Sequence, residues 1–285
     1  MPSPKTTKKP RTKARSRRKP VETDPHVLYQ KAVQSPDVEM AFVDRVYRKI
    51  RGKPPARLRE DFCGTAFSSC EWVRRRRANT AVGLDLHAPT IAWGRKHNIA
   101  RLTDEQRSRL TVLKRNVLAP FEGGRAEVVG MDCILAMNFS YWCFKDRATL
   151  RRYFELVRES LAPGGLFYMD TYGGWECGMP QKERRRVAGF TYIWEQASFN
   201  PITSDLVCKI HFKLKNGRTI RDAFTYRWRL WTLPEIRELL AEAGFSRSTV
   251  YWEGDDGKGG GNGVFRPSEN GEACASWVSY VVAEK

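Results

Sequence analysis

Glu60-Asp61-Phe62-Cys63-Gly64-Thr65-Ala66 follows a predicted strand and opens a predicted helix, and Asp85 closes the next apolar segment, 21 residues after Gly64. A loop in that place aims backbone N–H groups at a ligand, and the helix N-terminus adds a partial positive charge. Glycine at position 64 allows close approach because no side chain stands in the way. An acid at a strand end can accept both ribose hydroxyl hydrogens of an adenosine. The chemistry these residues predict is the binding of an adenosine-bearing ligand at the carboxyl end of a sheet.

Other residues suggest what is done with that ligand. Met137-Asn138-Phe139-Ser140-Tyr141-Trp142 ends a later apolar run, and Asp170 ends another. Read by themselves, Asn138 can cap the strand while Phe139 and Trp142 pack in the core. Asp170 is the one acid in a position to act as a base. A further aromatic set (Tyr172, Trp175, Tyr192, Trp194, Phe199, Phe212, Phe224, Tyr226, Trp228 and Trp231) can wall a pocket or hold a cation through ring faces. Alternating rings also pack a sheet without any ligand. Arg227 and Arg229 either meet an anionic group or face solvent. The four histidines have no metal-ligand spacing, and no pair of cysteines forms C-x-x-C, so no metal site is expected.

The elements that must position these residues alternate. Asp24 before Pro25 and Ser35 before Pro36 are helix starts, and Met40, Val43, Tyr47 and Ile50 repeat at helical spacing, predicting helices within 24–52. Strands are expected at 57–62, 81–86, 110–114, 131–137 and 166–170, with helices at 67–77, 88–98 and 147–161 between them. That order predicts a parallel sheet with crossover helices. From about 175 to 231 the alternation breaks into aromatic and β-branched runs with Asn216-Gly217 as a hairpin signal, so an antiparallel insertion of about three strands is expected. Lys182–Arg186 reads as a solvated loop, and Arg74–Arg77 as a solvated helix face. Thr232-Leu233-Pro234-Glu235 is a capping box opening helix 233–243. Strands at 249–252 and 277–282 are joined by a glycine-rich linker, 254–263.

The run Leu58–Ala66 together with Gly83-Leu84-Asp85-Leu86 resembles the first two motifs of class I S-adenosylmethionine-dependent methyltransferases. The likeness covers roughly residues 55–170 and resumes over 232–285. It implies a Rossmann-like α/β fold: a mostly parallel seven-stranded sheet with its last strand antiparallel, carrying the β insertion after the fifth strand. It implies S-adenosyl-L-methionine as cofactor, with Glu60 toward the methionine amino group, Phe62, Cys63, Gly64 and Thr65 around methionine and ribose, and Asp85 and Leu86 at the ribose. Asn116, Val117 and Asn138 complete that set. Residues 138–142 are similar in outline to the Asn-Pro-Pro-Tyr motif of amino-methylating members. By that likeness Phe139, Ser140, Tyr141, Trp142, Tyr172, Trp194 and Trp228 would meet a small-molecule acceptor, nitrogen being favoured. The chain departs from the family where two of three loop glycines are Phe62 and Ala66, and where Asn116 replaces an acid. A pyrophosphate cofactor would need those glycines, so NAD is disfavoured.

Composition bounds the partners. Of the net charge of +18, half lies in residues 1–20, which hold nine Lys or Arg and no acid. Residues 1–22 are expected to be a disordered basic tail and 23–285 the methyltransferase domain. The tail either contacts nucleic acid, which would make RNA an alternative acceptor, or is a solubilising arm. A non-catalytic, cofactor-binding scaffold is the third reading. Seven scattered cysteines suit a reducing, cytoplasmic setting, and no apolar run is long enough to span a bilayer.

Overall fold

A computed structural model describes residues 22–257 and 260–285. Apart from Glu22, the basic tail lies outside the described residues. In chain order the elements are α1 (Pro25–Ala32), α2 (Pro36–Arg51), β1 (Arg57–Asp61), α3 (Phe67–Arg75), β2 (Thr80–Asp85), α4 (Ala88–His97), α5 (Asp104–Arg107) and β3 (Leu110–Lys114). Then follow β4 (Met131–Ala136), α6 (Arg147–Ser160), β5 (Leu161–Gly173), β6 (Gln181–Val187), β7 (Phe190–Asn200), β8 (Asp205–Leu214) and β9 (Thr219–Arg229). The chain closes with α7 (Leu233–Glu242), β10 (Arg247–Asp255), β11 (Gly261–Pro267) and β12 (Trp277–Glu284).

Local signals set the helix ends. The Asp24 carboxylate accepts the His26 N–H at the start of α1. Acids in the first turn of α2 and bases in its last complement the helix dipole, and Gly52 at φ 70° stops it. The box at Thr232 and Glu235 is formed, each side chain taking the other's backbone N–H.

The main sheet has eight strands in the order β11-β10-β12-β5-β4-β1-β2-β3. β3, β2, β1, β4 and β5 are parallel, and β12 runs antiparallel between β5 and β10. The eighth strand, β11, pairs with β10 across the segment expected to be a linker. Its glycines carry no side-chain signal, and the backbone pairing is supplemented by Asn262 donating to the Asp255 carbonyl and Gly263 N–H donating to Glu253. β4 sits between two parallel neighbours and is covered on both faces, which accounts for its continuous apolar run. On one face Tyr153 and Phe154 of α6 and Leu239 of α7 pack on Ile134 and Phe167. On the other, Met40 and Val43 of α2 and Trp72 of α3 pack on Leu58 and Leu135.

The insertion is a separate sheet of four strands, β6-β7-β8-β9, where about three were expected. β6 reads Gln-Lys-Glu-Arg-Arg-Arg-Val and is an exposed edge, so it lacks the apolar alternation of a half-buried strand. The run Lys182–Arg186 is therefore strand and not loop. Leu28 and Ala32 of α1 pack on Phe190, Ile210 and Phe212 of this sheet, tying the N-terminal helix to the insertion. Among the described residues no helix is long and apolar enough to cross a membrane.

Candidate active site

The loop after β1 is built on three left-handed residues at alternate positions: Phe62 at φ 56°, Gly64 at 51° and Ala66 at 54°. A non-glycine residue there costs about 1–2 kcal/mol, so the surroundings must enforce the path. They do so by hydrogen bonds. Cys63 N–H donates to the Leu84 carbonyl at 2.9 Å, Ala66 N–H to the Cys63 carbonyl at 2.8 Å, and Gly64 N–H to Asp85 Oδ2 at 2.8 Å. Asn98 donates to the Thr65 carbonyl and Gln30 of α1 to Thr65 Oγ1, both at 2.9 Å. Close packing comes from two glycines below the loop, Gly83 of the second motif and Gly94 of α4. A Cβ on Gly83 would lie 2.7 Å from Cys63 Sγ, and one on Gly94 2.5 Å from the Thr65 carbonyl oxygen.

The predicted cofactor residues divide by depth. Asp85 is half-buried, and its other oxygen accepts the His87 N–H at 2.7 Å. Each carboxylate oxygen thus keeps a further lone pair for a ligand hydroxyl. Leu86 beside it is 58% exposed, an apolar surface with no covering group. Cys63 is buried against Gly83, and burial pushes its thiol up, so it packs rather than reacts. Phe62 rests between Phe144 and Tyr153, with ring centroids at 5.9 and 5.8 Å. Asn116 follows β3, and its side-chain oxygen accepts the Leu118 N–H at 2.9 Å. Val117 is buried in the core, so its backbone alone could meet a ligand.

Glu60 is buried, its Oε2 accepting the Ser69 N–H at 2.9 Å and the Ser69 hydroxyl. Burial raises its pKa to about 8 against the lowering effect of those bonds. Glu39 of α2 reaches the adjacent Ser68 hydroxyl at 3.2 Å, and burial raises it too. On the opposite face of β1, the sequence reading missed a closed ion pair. Arg59 and Asp61 meet at 2.8 Å with both side chains fully buried, and Tyr153 donates to Asp61 at 2.9 Å. The apolar residues flanking them gave no sign that a charged pair was inside.

The loop after β4 repeats the pattern. Asn138 and Phe139 are left-handed, at φ 59° and 55°, and their N–H groups each donate to one oxygen of Asp170 at 2.9 Å. Burial raises the Asp170 pKa to about 7. Each of its oxygens accepts one loop N–H, so Asp170 holds the loop as a positioning residue. Tyr141 is fully buried and donates to the Asp170 carbonyl at 3.0 Å. Trp142 is likewise core, and the Ser140 hydroxyl turns back to the Met137 carbonyl at 2.8 Å. These three therefore build the floor, and the expectation that they touch an acceptor is withdrawn. A turn of 3-10 helix at Ser140–Cys143 carries the rings inward.

Asn138, Phe139, Tyr172, Trp194 and Trp228 do come together. They line a cavity of about 280 Å³ between the ends of β4 and β5, the insertion sheet and α1. Phe139 lies 4.8 Å from Tyr172 and 6.1 Å from Trp228, and Trp228 stacks on Tyr226 at 4.4 Å. Tyr29 of α1 closes one side, next in sequence to Gln30, which holds the β1 loop. Because β1 and β4 are neighbours in the sheet, the cavity adjoins that loop. Among the described residues no cluster of His, Cys, Asp and Glu is placed to hold a metal ion.

No protein-family model and no curated protein matches the chain. Solved structures do. An amino pentose methyltransferase from Micromonospora echinaspora, involved in calicheamicin biosynthesis, is 17% identical, with 94% of this chain and 99% of that one covered at a TM-score of 0.63. A sugar N-methyltransferase from a Streptoalloteichus species is 16% identical, with 98% and 99% covered and a TM-score of 0.61. An S-adenosylmethionine-dependent methyltransferase from Clostridium acetobutylicum is 13% identical, with 91% and 96% covered and a TM-score of 0.65. Over the described residues the chain has the class I S-adenosylmethionine-dependent methyltransferase fold, a Rossmann-like sheet with an added antiparallel sheet.

Proposed function

We propose that this protein transfers a methyl group from S-adenosyl-L-methionine to a nitrogen of a small-molecule acceptor. The observation that carries the reading is the adjacency of two strand-end sites. The β1 loop with Asp85 and Leu86 stands beside the β4 loop, which forms the inner wall of the aromatic cavity. The residues present fit the cofactor. Asp85 has free lone pairs for ribose hydroxyls, exposed Leu86 offers a face to an adenine ring, and Glu60 supplies a carboxylate for an amino group.

When bound, the cofactor supplies a sulfonium methyl: the new N–C bond forms as the S–C bond breaks, sulfur keeps the electron pair, and the proton shed by nitrogen passes to solvent. The protein's share is orientation and exclusion of water. The Asp170 clamp fixes Asn138 and Phe139, and Tyr29 and the insertion rings close the chamber. A neutral amine needs no base, whereas a hydroxyl does. The name of the sugar N-methyltransferase among the similar structures supports nitrogen. The size of the cavity supports a small acceptor over RNA, and the basic run 1–20 that would recruit RNA lies outside the described residues.

Titration calorimetry with S-adenosylmethionine on wild type and Asp85→Ala tests the cofactor site. Assay of S-adenosylhomocysteine with a panel of small amines tests the transfer. Absence of cofactor binding overturns the reading, and binding with no turnover on any amine would reduce the protein to a cofactor-binding scaffold.

A further inference from the structure

The cavity carries an electrical signature at odds with the rest of the chain. The protein has a net charge of +18, yet the chamber is lined by two carboxylates, Glu176 and Glu183, and one cation, Arg185. Neither acid has an ion-pair partner among the described residues, although arginines are abundant. The strand alternation explains this for Glu183. Lys182 lies on the other face of β6 and pairs with Glu195. Arg185, on the same face as Glu183, reaches across to the Ala32 carbonyl and over the Tyr192 ring at 5.4 Å.

Ring faces continue from this acid to the reacting end. Glu183 is directly opposite Trp194 in the β6–β7 register. Trp194 lies 6.1 Å from Trp228, and Trp228 6.1 Å from Phe139. Trp194 is also 6.3 Å from Tyr226. Electron-rich faces attract cations, more strongly where water is displaced. A carboxylate at the end of such a row adds direct Coulomb attraction. Glu183 thus stands two ring contacts beyond Phe139.

Taking the methyl-transfer reading as its basis, we infer that the acceptor is a cationic amine with two centres. One nitrogen is presented neutral at Asn138 and Phe139, and a second centre keeps its positive charge among Trp194, Tyr226 and Trp228 beside Glu183. Anionic acceptors, including those joined to a phosphate, are repelled by the same two acids.

The test uses choline as a cation probe and 3,3-dimethylbutan-1-ol as its uncharged isostere, titrated into the full chain without cofactor and followed by calorimetry. Choline is expected to bind at least tenfold more tightly than the isostere. Glu183→Lys should weaken choline at least tenfold, and Glu176→Gln/Glu183→Gln together should do so by a smaller factor. β6 is an exposed edge, so its variants should keep the wild-type circular dichroism and thermal midpoint. Isostere binding within threefold of choline, choline binding unchanged in Glu183→Lys, or no choline binding at 50 mM overturns the inference. Titrating S-adenosylmethionine into the same preparations separates the two readings. Unaltered cofactor affinity with no discrimination between the probes sinks the cation site alone, while loss of cofactor binding in wild type sinks the transfer reaction.

Discussion

The two strand-end loops are variations on one construction. After β1, Asp85 from the neighbouring strand β2 holds Gly64 N–H; after β4, Asp170 from the neighbouring strand β5 holds Asn138 and Phe139 N–H. Both loops use non-glycine residues in the left-handed region. They differ in what the acid joins. Asp85 retains lone pairs and stands beside exposed Leu86, so it can serve a ligand. Asp170 gives both oxygens to N–H groups of a single loop, and burial raises its pKa to about 7. In one place the acid joins its loop to the start of α4, and in the other it braces one loop.

Substitutions should separate the two. Asp170→Ala leaves two inward N–H groups unpaired and should cost about 2–5 kcal/mol in urea unfolding, at about 1–3 kcal/mol per orphaned group. Asp170→Asn keeps an acceptor oxygen and should lose about half as much. If Asp170→Ala unfolds at the wild-type midpoint, the bracing role is wrong. Asp85→Ala should instead weaken S-adenosylmethionine about 30–100-fold, since each 1.4 kcal/mol is about tenfold. A large stability loss with unaltered cofactor affinity would reverse the comparison.

Acidity gives the next contrast. Glu60 and Asp170 have folded-state pKa values of about 8 and about 7, above those of unfolded carboxylates near 4. Between these limits the folded chain holds protons that the unfolded chain has released. Stability from these two groups is therefore present at low pH, falls as pH rises from about 4 to about 8, and is level above that. The slope is at most about 1.4 kcal/mol per pH unit for each group. Glu60→Gln should remove its part, flattening the profile of unfolding midpoint against pH. A profile identical to wild type would show that Glu60 is ionised in the fold. The smallest effect belongs to Ala66→Gly, which relieves a left-handed alanine and should stabilise by less than about 1 kcal/mol. Phe62→Gly should not, because Phe62 packs on two rings.

The contrast also marks what sequence could reveal. The β1 loop and Asp85 were legible because strand, loop, helix and acid follow one another within a short stretch. The cavity rings Tyr172, Trp194 and Trp228 were found by type, but not separated from Tyr141 and Trp142. Depth there depends on a single turn after β4 and on a sheet that arrives 40 or more residues later. The helices within 24–52 were expected as elements, yet nothing in α1 announces that Tyr29 and Gln30 serve the chamber and the loop. Gly94, and the packing role of Gly83, were invisible for the same reason: what they make room for is distant in sequence. β6 and β11 were missed because charge in one and glycine in the other erase the alternation that signals a strand.

The position of β12 has a consequence for assembly. Tyr280 stands opposite Asp170 in the register between β12 and β5. Until residues 277–284 have been synthesised, β5 is an open edge with unpaired N–H and C=O groups, and β10 has no route into the sheet. The four strands β3, β2, β1 and β4 can pair on what has already emerged, so the loop after β1 and Asp85 can form early. The acid that braces the β4 loop is fixed only when its late neighbour docks. The chemical end of this protein is thus completed last, by the strand made last among those described.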